Sequence, residues 1–160
     1  MFSFAKKPHQ EGAFKTLIKG GFINLLFGAV ALTLDTVLEI PPLPINKSTS
    51  FILFLILIIL YGGLLIWSAL CLVSAKKKKS LATKGPYALT RHPMYVGIVL
   101  LINPALAILF ASWSLLEACI IFYFLWRYFA KKEEQKLLKH FGNTYKEYSK
   151  KTGCLFPRIC

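Results

Sequence analysis

The sequence predicts an all-α, polytopic membrane bundle of four transmembrane helices with a cytoplasmic C-terminal helical segment. Apolar residues make up 56% of the 160 residues, and mean hydropathy is +0.55. A run of 25 residues, Phe51 to Ala75, carries no charge. The basic residues gather on one side of a four-span threading. Disorder is excluded because it requires low hydrophobicity, and a water-soluble globule of this length cannot hide so much apolar side chain. Four cysteines, two of them inside apolar runs, argue against a secreted disulfide scaffold.

The first span reads as residues 17–40, interrupted by Lys19, Asp35 and Glu39 and stopped by Pro41-Pro42-Leu43-Pro44, since proline cannot continue a helix. Phe51–Ala75 is the clearest span: about 37 Å of helix against roughly 30 Å of hydrocarbon, enough to cross with some tilt. A third run, residues 94–111, holds Asn103-Pro104 at mid-depth, where a kink is expected. The fourth, residues 113–130, follows after almost no loop, so the last two spans form a tight hairpin. The chain is read as a single membrane domain. The basic N-terminus followed by an apolar stretch has the outline of a signal peptide, but that stretch is long and no convincing small-residue cleavage site precedes Asp35. A retained first helix is therefore expected.

Nineteen of the 20 basic residues fall in the N-terminal arm (Lys6, Lys7, Lys15, Lys19), the segment between spans two and three, and the stretch from Arg127 onward; Lys47 alone lies opposite. By the positive-inside rule both termini and residues 76–93 are cytoplasmic. Lys76 to Lys79 read as a topogenic stop that also binds anionic lipid headgroups, at about 1 kcal/mol per residue. Nucleic acid is a poor partner because the basic residues sit at helix ends and form no stripe.

Two cytoplasmic segments concentrate the polar residues. In Lys84-Gly85-Pro86-Tyr87-Ala88-Leu89-Thr90-Arg91-His92-Pro93-Met94-Tyr95, two Pro-containing dipeptides prevent a simple helix. An irregular backbone at membrane depth is tolerated where it lines a protein-walled cavity. Tyr87, Arg91, His92 and Tyr95 would crowd the mouth of that cavity, although an interfacial belt of anchoring Tyr and Arg has the same composition. The second segment, from Arg127 to Tyr148, reads as a helix that extends span four and breaks near Gly142-Asn143. Glu134, Leu138, Phe141, Tyr145 and Tyr148 share one face at i, i+4, i+7, i+11 and i+14. Glu133 is expected about 100° away, paired with Lys136. Arg127, on the last intramembrane turn, is a functional candidate by its depth. Asp35, Glu39 and Glu117 fall at the outer interface and receive no role. Cys71 and Cys119 read as membrane packing. Cys154 and Cys160 with His9, His92 and His140 show no metal-ligand spacing, and no metal is expected. Cys160 does not fit a C-a-a-X box.

GPYALTRHPMYVG, a membrane hairpin, then EEQKLLKHFGNTYKEY and a closing Phe156-Pro157 together resemble the isoprenylcysteine carboxyl methyltransferase family, whose relatives include phospholipid N-methyltransferases. The resemblance covers roughly residues 80 to 157. It implies transfer of a methyl group from S-adenosylmethionine to a lipid-borne or amphiphilic acceptor, with the cofactor held by the 80–157 half on the cytoplasmic side. Carried onto this chain, Gly85, Pro86, Tyr87, Arg91, His92, Tyr95, Glu134 and Tyr145 become the cofactor-binding residues, with Arg127 and Glu134 as catalytic candidates. Tyr148 would help Tyr145 close the pocket from the tail. Family members place their arginine closer to the glutamate pair than Arg127 lies to Glu133.

The chemistry agrees with that implication. Arg91 can fork onto the donor's carboxylate. Glu134 can balance a cation or accept from a hydroxyl or amino group. Tyrosine faces can hold a sulfonium by cation–π attraction of roughly 0.5–2 kcal/mol. In-line methyl transfer is mostly alignment. A carboxylate acceptor needs no general base, and Arg127 could orient it; an amine or thiol must lose a proton, and no dedicated base stands out. The reading therefore leans to a prenylcysteine-type carboxylate, with phospholipid amine and small thiol open. Two competing readings are an NADPH-dependent membrane reductase, whose sterol-reducing members are much longer, and a non-catalytic membrane scaffold.

Overall fold

The computed structural model describes residues 9–157, with side chains from residue 15 onward; Lys6, Lys7, Arg158 and Cys160, and the side chain of His9, lie outside the described part. The elements are α1 (His9–Val37), α2 (Lys47–Lys77), α3 (Pro86–Leu89), α4 (Pro93–Gly97), a π-helical turn (Ile98–Ile102), α5 (Asn103–Leu109), α6 (Trp113–Phe141) and α7 (Asn143–Lys151). No named strand occurs among the described residues, only a parallel bridge between Thr90 and Gly153.

Helix boundaries follow local chemistry. The proline cluster at 41–44 separates α1 from α2, and Asn46 caps α2 by accepting from the Ser48 N–H at 3.1 Å. Lys76 and Lys77 occupy the last turn of α2, where cations complement the helix dipole. Ser112 caps α6 by accepting from the Leu115 N–H at 3.0 Å. The Ser112 hydroxyl also donates to Asp35, whose other carboxylate oxygen accepts from the Ser114 N–H at 3.3 Å. Asp35 thus gains a structural role that its sequence position did not suggest: it ties the end of α1 to the start of α6.

Three helices are long and apolar enough to cross a membrane: α1 over Lys15–Val37, α2, and α6. The segment expected as a third span is a shorter apolar helix, Pro93–Leu109, about 25 Å long at helical rise. Pro93 fixes its start, and it carries a π-helical turn just before the expected kink. Pro104 has no N–H to give the Leu100 carbonyl, and the Asn103 N–H reaches back to the Ile98 carbonyl, the i→i+5 pattern of a π-bulge. These four segments run alternately in opposite directions. Leu17, Leu72, Met94 and Leu137 meet at one end around a shared cavity, while Asp35 meets Ser112 and the Leu43 N–H meets the Ala111 carbonyl at the other. Packing runs α1–α6–α5–α2.

The outer surface is apolar, with Phe22, Leu25, Ile59, Leu60, Leu70, Ile120 and Phe124 all exposed. The interior combines an aromatic cluster around Tyr95, Phe122 and Trp126 with a polar knot. There Asn24 donates to Asn103 at 2.6 Å, and the Trp126 indole donates to Asn24 at 3.4 Å. Polar inside and apolar outside is the arrangement a lipid solvent rewards, because lone polar groups facing hydrocarbon are costly. α1 reaches α6 closely because Gly20 lies against the Trp126 ring; a Cβ there would sit 2.6 Å from Cη2.

Gly20→Ala is therefore expected to destabilise the detergent-solubilised protein by about 1–3 kcal/mol through overpacking. Gly21→Ala, whose added Cβ would meet no described atom outside its own helix backbone within 4 Å, should leave the midpoint unchanged or slightly raised. Paired thermal melts check this.

Candidate active site

The polar end of the bundle is assembled from three stretches. The first descends from α2. Gly85, at φ +62°, turns the chain in a conformation only glycine adopts freely, and a Cβ there would also meet Cys71 Sγ at 2.9 Å. Pro86 then occupies the first turn of α3, a position that needs no N–H. Gly85 and Pro86 shape this loop without lining the cavity. Thr90 and Arg91 run extended against the C-terminal tail, the Arg91 N–H donating to the Gly153 carbonyl at 2.9 Å. His92 precedes Pro93, which starts α4. The second stretch is the part of α6 beyond Ala130, bringing Glu133, Glu134 and Leu137. The third is α7 and the tail, bringing Tyr145, Tyr148 and Cys154. The Tyr148 hydroxyl fastens α7 to the loop by donating to the Tyr87 carbonyl at 2.6 Å.

His92 sits at the centre, its side chain only 5% exposed. Its Nε2 lies 3.3 Å from Glu134 Oε1 and its Nδ1 lies 3.6 Å from Glu133 Oε2. Arg91 Nε reaches the same Glu134 oxygen at 3.2 Å. The Tyr95 hydroxyl donates to Glu133 Oε2 at 2.7 Å, and the Tyr95 ring stacks on His92 at 5.2 Å and 3°. Beneath them Tyr95 packs on Trp126, with ring centroids 4.9 Å apart.

A cavity opens beside this cluster. Tyr87, Arg91, His92, Tyr95, Glu133, Tyr145 and Tyr148 line its polar side, and Leu17, Leu72, Leu81, Ala82, Met94 and Leu137 its apolar side. Arg91 Nε, His92 Nε2, Glu134 Oε1 and the Tyr145 hydroxyl are fully buried without a hydrogen-bond partner among the described residues. Their ion-pair contacts have the distance but not the alignment of hydrogen bonds. Burial, then the Glu134 charge, raises the Tyr145 phenol above its ordinary range. Burial, then Glu134, also pushes the Cys154 thiol up to about 11, so it is protonated at neutral pH.

The structure thus brings together Tyr87, Arg91, His92, Tyr95, Glu134 and Tyr145. Arg127 stays apart: it is half-buried on α6, outside the cavity wall, within electrostatic reach of Cys154. Two sequence expectations are corrected. Glu133 does not turn away to Lys136 but enters the site through Tyr95 and His92. On the same helix Leu137 is buried and Leu138 is 39% exposed, the reverse of the expected face. That expected face runs on through Tyr145 and Tyr148, which lie beyond the break at Gly142 (φ +54°). Phased from the buried Phe122, Trp126 and Ala130, both glutamates straddle the inward line. Cys154 was missed because its nearness to His92 and Glu134 comes from the tail pairing and not from sequence spacing.

This constellation of buried, convergent charges at one end of a membrane-helix bundle coincides with a family match. The phospholipid methyltransferase family model covers residues 49–144, more than half of the chain, and the chain belongs to that family. Among curated proteins it is similar to a protein-S-isoprenylcysteine O-methyltransferase of Schizosaccharomyces pombe, 32% identical over 93 residues that make up 55% of this chain and 38% of that protein. It is likewise similar to the cobalt-zinc-cadmium resistance protein CzcN of Cupriavidus metallidurans, 31% identical over 106 residues, 59% of this chain and 43% of that one. The protein-S-isoprenylcysteine O-methyltransferase of Xenopus laevis is 36% identical over 93 residues, 50% of this chain and 28% of that one. The chain covers less than half the length of each of these relatives.

Tyr95→Phe keeps the ring on His92 but removes the hydrogen-bond donor to Glu133, leaving that half-buried carboxylate oxygen only its longer contact with His92. It should cost about 1.5–3 kcal/mol, read by unfolding in detergent. Tyr128→Phe, at an exposed ring, should stay within about 0.5 kcal/mol of the parent.

Proposed function

We propose that this chain is an integral membrane methyltransferase that uses S-adenosylmethionine to methylate a lipid-borne acceptor, most specifically a prenylcysteine-type carboxylate. The observation that carries the reading is a set of buried polar atoms without hydrogen-bond partners among the described residues: those of Arg91, His92 and Tyr145, which line a cavity whose other wall is apolar, and that of Glu134 just behind Arg91 and His92. Such atoms are expensive unless a polar ligand completes them. The donor offers a carboxylate, an amino group, hydroxyls and a cation, which suit this donor and acceptor set.

When bound, S-adenosylmethionine supplies an electrophilic methyl group on a sulfonium. The Arg91 guanidinium can hold a carboxylate, and Glu134 offers a negative charge to an ammonium or sulfonium. The rings of Tyr87, Tyr145 and Tyr148 present faces to a cation. His92 is held between two carboxylates, so its ring is fixed and not free to swing as a base. Glu133 is engaged by Tyr95. With His92, Glu133 and Glu134 held in ion-pair contacts, the site favours an acceptor that reacts without losing a proton, and a carboxylate does. The names of the Schizosaccharomyces pombe and Xenopus laevis relatives support the same choice. The apolar wall, to which α1 and α2 contribute Leu17 and Leu72, supports lateral entry of a greasy acceptor from the bilayer.

Four crossings, with both termini and the site on the cytoplasmic side, belong to this proposal. The alternating direction of the four helical segments supports it, as does the sequence, in which 19 of the 20 basic residues fall on one side of a four-span threading. Lys76 to Lys79 are then placed to attract anionic lipid.

Calorimetry with S-adenosylmethionine and, separately, NADPH tests the reading. The detergent-purified protein should bind S-adenosylmethionine saturably, and Glu134→Ala and Arg91→Ala should each weaken it by about tenfold or more while melting cooperatively. NADPH binding in its place would move the assignment to a reductase. Methylation of phosphatidylethanolamine and not of a prenylcysteine would move the acceptor to a phospholipid amine.

A further inference from the structure

The tail closes on the site in a way the methyl-transfer reading does not use. Cys154 is buried and free, and its Sγ, with one ligand atom each from His92 and Glu134, forms a set lying within 4.8 Å of one another. The residue lies beyond the stretch 49–144 matched by the family model. His92 Nε2 and Glu134 Oε1, 3.3 Å apart, both lack an aligned hydrogen-bond partner among the described residues. In a tetrahedral zinc site, bonds of about 2.0–2.3 Å put ligand atoms about 3.3–3.8 Å apart. The histidine–glutamate edge already has that length, and the thiol needs a shift of at most about 1–1.5 Å to close the set.

We propose that His92, Glu134 and Cys154 form a binding site for one borderline-to-soft divalent cation of the zinc or cadmium class. The mixed nitrogen, oxygen and sulfur donors select that class over magnesium or calcium, which take oxygen alone. Glu133 stands on the far side of His92, 3.6 Å from Nδ1, where carboxylates orient metal-bound histidines and fix the tautomer. Three protein ligands leave the fourth position to water. Binding replaces the Cys154 proton with the metal and releases that proton to solvent; no electron moves.

Two groups oppose the cation: Arg127, within electrostatic reach of Cys154, and more directly Arg91. Arg91 Nε lies 3.2 Å from the same Glu134 oxygen, so its positive charge competes for it. Arg91 therefore acts with opposite sign on the two ligands: it attracts an anionic donor group and repels a metal. That sign difference separates the metal site from the methyl-transfer reading, since a collapsed loop would weaken both.

The test titrates cadmium chloride into the purified full chain and follows the cadmium–thiolate charge-transfer absorbance in the ultraviolet, with S-adenosylmethionine affinity measured separately. One equivalent should saturate the band. Cys154→Ser, a near-isosteric change, should abolish it without shifting the melt, and His92→Gln should weaken binding by about tenfold or more. Arg91→Gln should tighten cadmium about five- to tenfold while weakening the donor. Absence of a band overturns the proposal. So does a band that survives Cys154→Ser, which would assign the metal to another thiol, and so does weaker cadmium binding in Arg91→Gln. Failure to bind S-adenosylmethionine with an intact Cys154-dependent band upholds the metal site and removes only the methyl-transfer reading.

Discussion

The site end of this bundle is organised by one histidine held between two adjacent carboxylates of a neighbouring helix. His92 lies 3.3 Å from Glu134 and 3.6 Å from Glu133, and those contacts fix the loop against α6. The register cannot slip, because the same helix presents Phe122, Trp126 and Ala130 to the core. Tyr95 joins the two systems: its ring stacks on His92 and packs on Trp126, while its hydroxyl bonds Glu133. A shift that broke the polar cluster would also unpack the aromatic core.

Charges buried in this way are costly, since removing a carboxylate from water costs several kcal/mol unless partners compensate it. Partial compensation is what the site displays. Glu133 is satisfied by Tyr95, whereas Glu134 meets Arg91 and His92 without hydrogen-bond alignment. The loop, α6 and the tail each depend on the others here, because the Arg91 N–H uses the Gly153 carbonyl and Tyr148 uses the Tyr87 carbonyl. Stored polar demand beside an apolar wall is the physical form of a site for an amphiphilic pair of substrates, the reading proposed above.

Much of this was legible in the residues. The uncharged run at 51–75, the proline stop at 41–44 and the break at Gly142 each name a helix boundary by a local rule, and α2, the end of α1 and the end of α6 fall close to them. Residues 93–109 were less legible because hydropathy does not register a π-helical turn, and this segment is shorter than the apolar run suggests. The inward turn of Glu133 was not legible because the expected stripe from Glu134 to Tyr148 runs across the helix break at Gly142. Cys154 was invisible for a different reason: a tail that pairs with a loop some 60 residues earlier leaves no periodic trace. Asp35 likewise found its partner in Ser112, 77 residues later and beyond all of α2 to α5.

The central claim is that the loop and α6 form one donor-binding unit through His92 and Glu134, and a double-mutant cycle on S-adenosylmethionine affinity tests it most directly. His92→Ala, Glu134→Gln and the pair would be compared with the parent protein by calorimetry in one detergent. A coupling energy of about 1 kcal/mol or more between the two positions is expected, because each change removes the other's partner. Losses that simply add, within about 0.3–0.5 kcal/mol, would mean that the two side chains serve the donor independently or not at all, and would contradict the account.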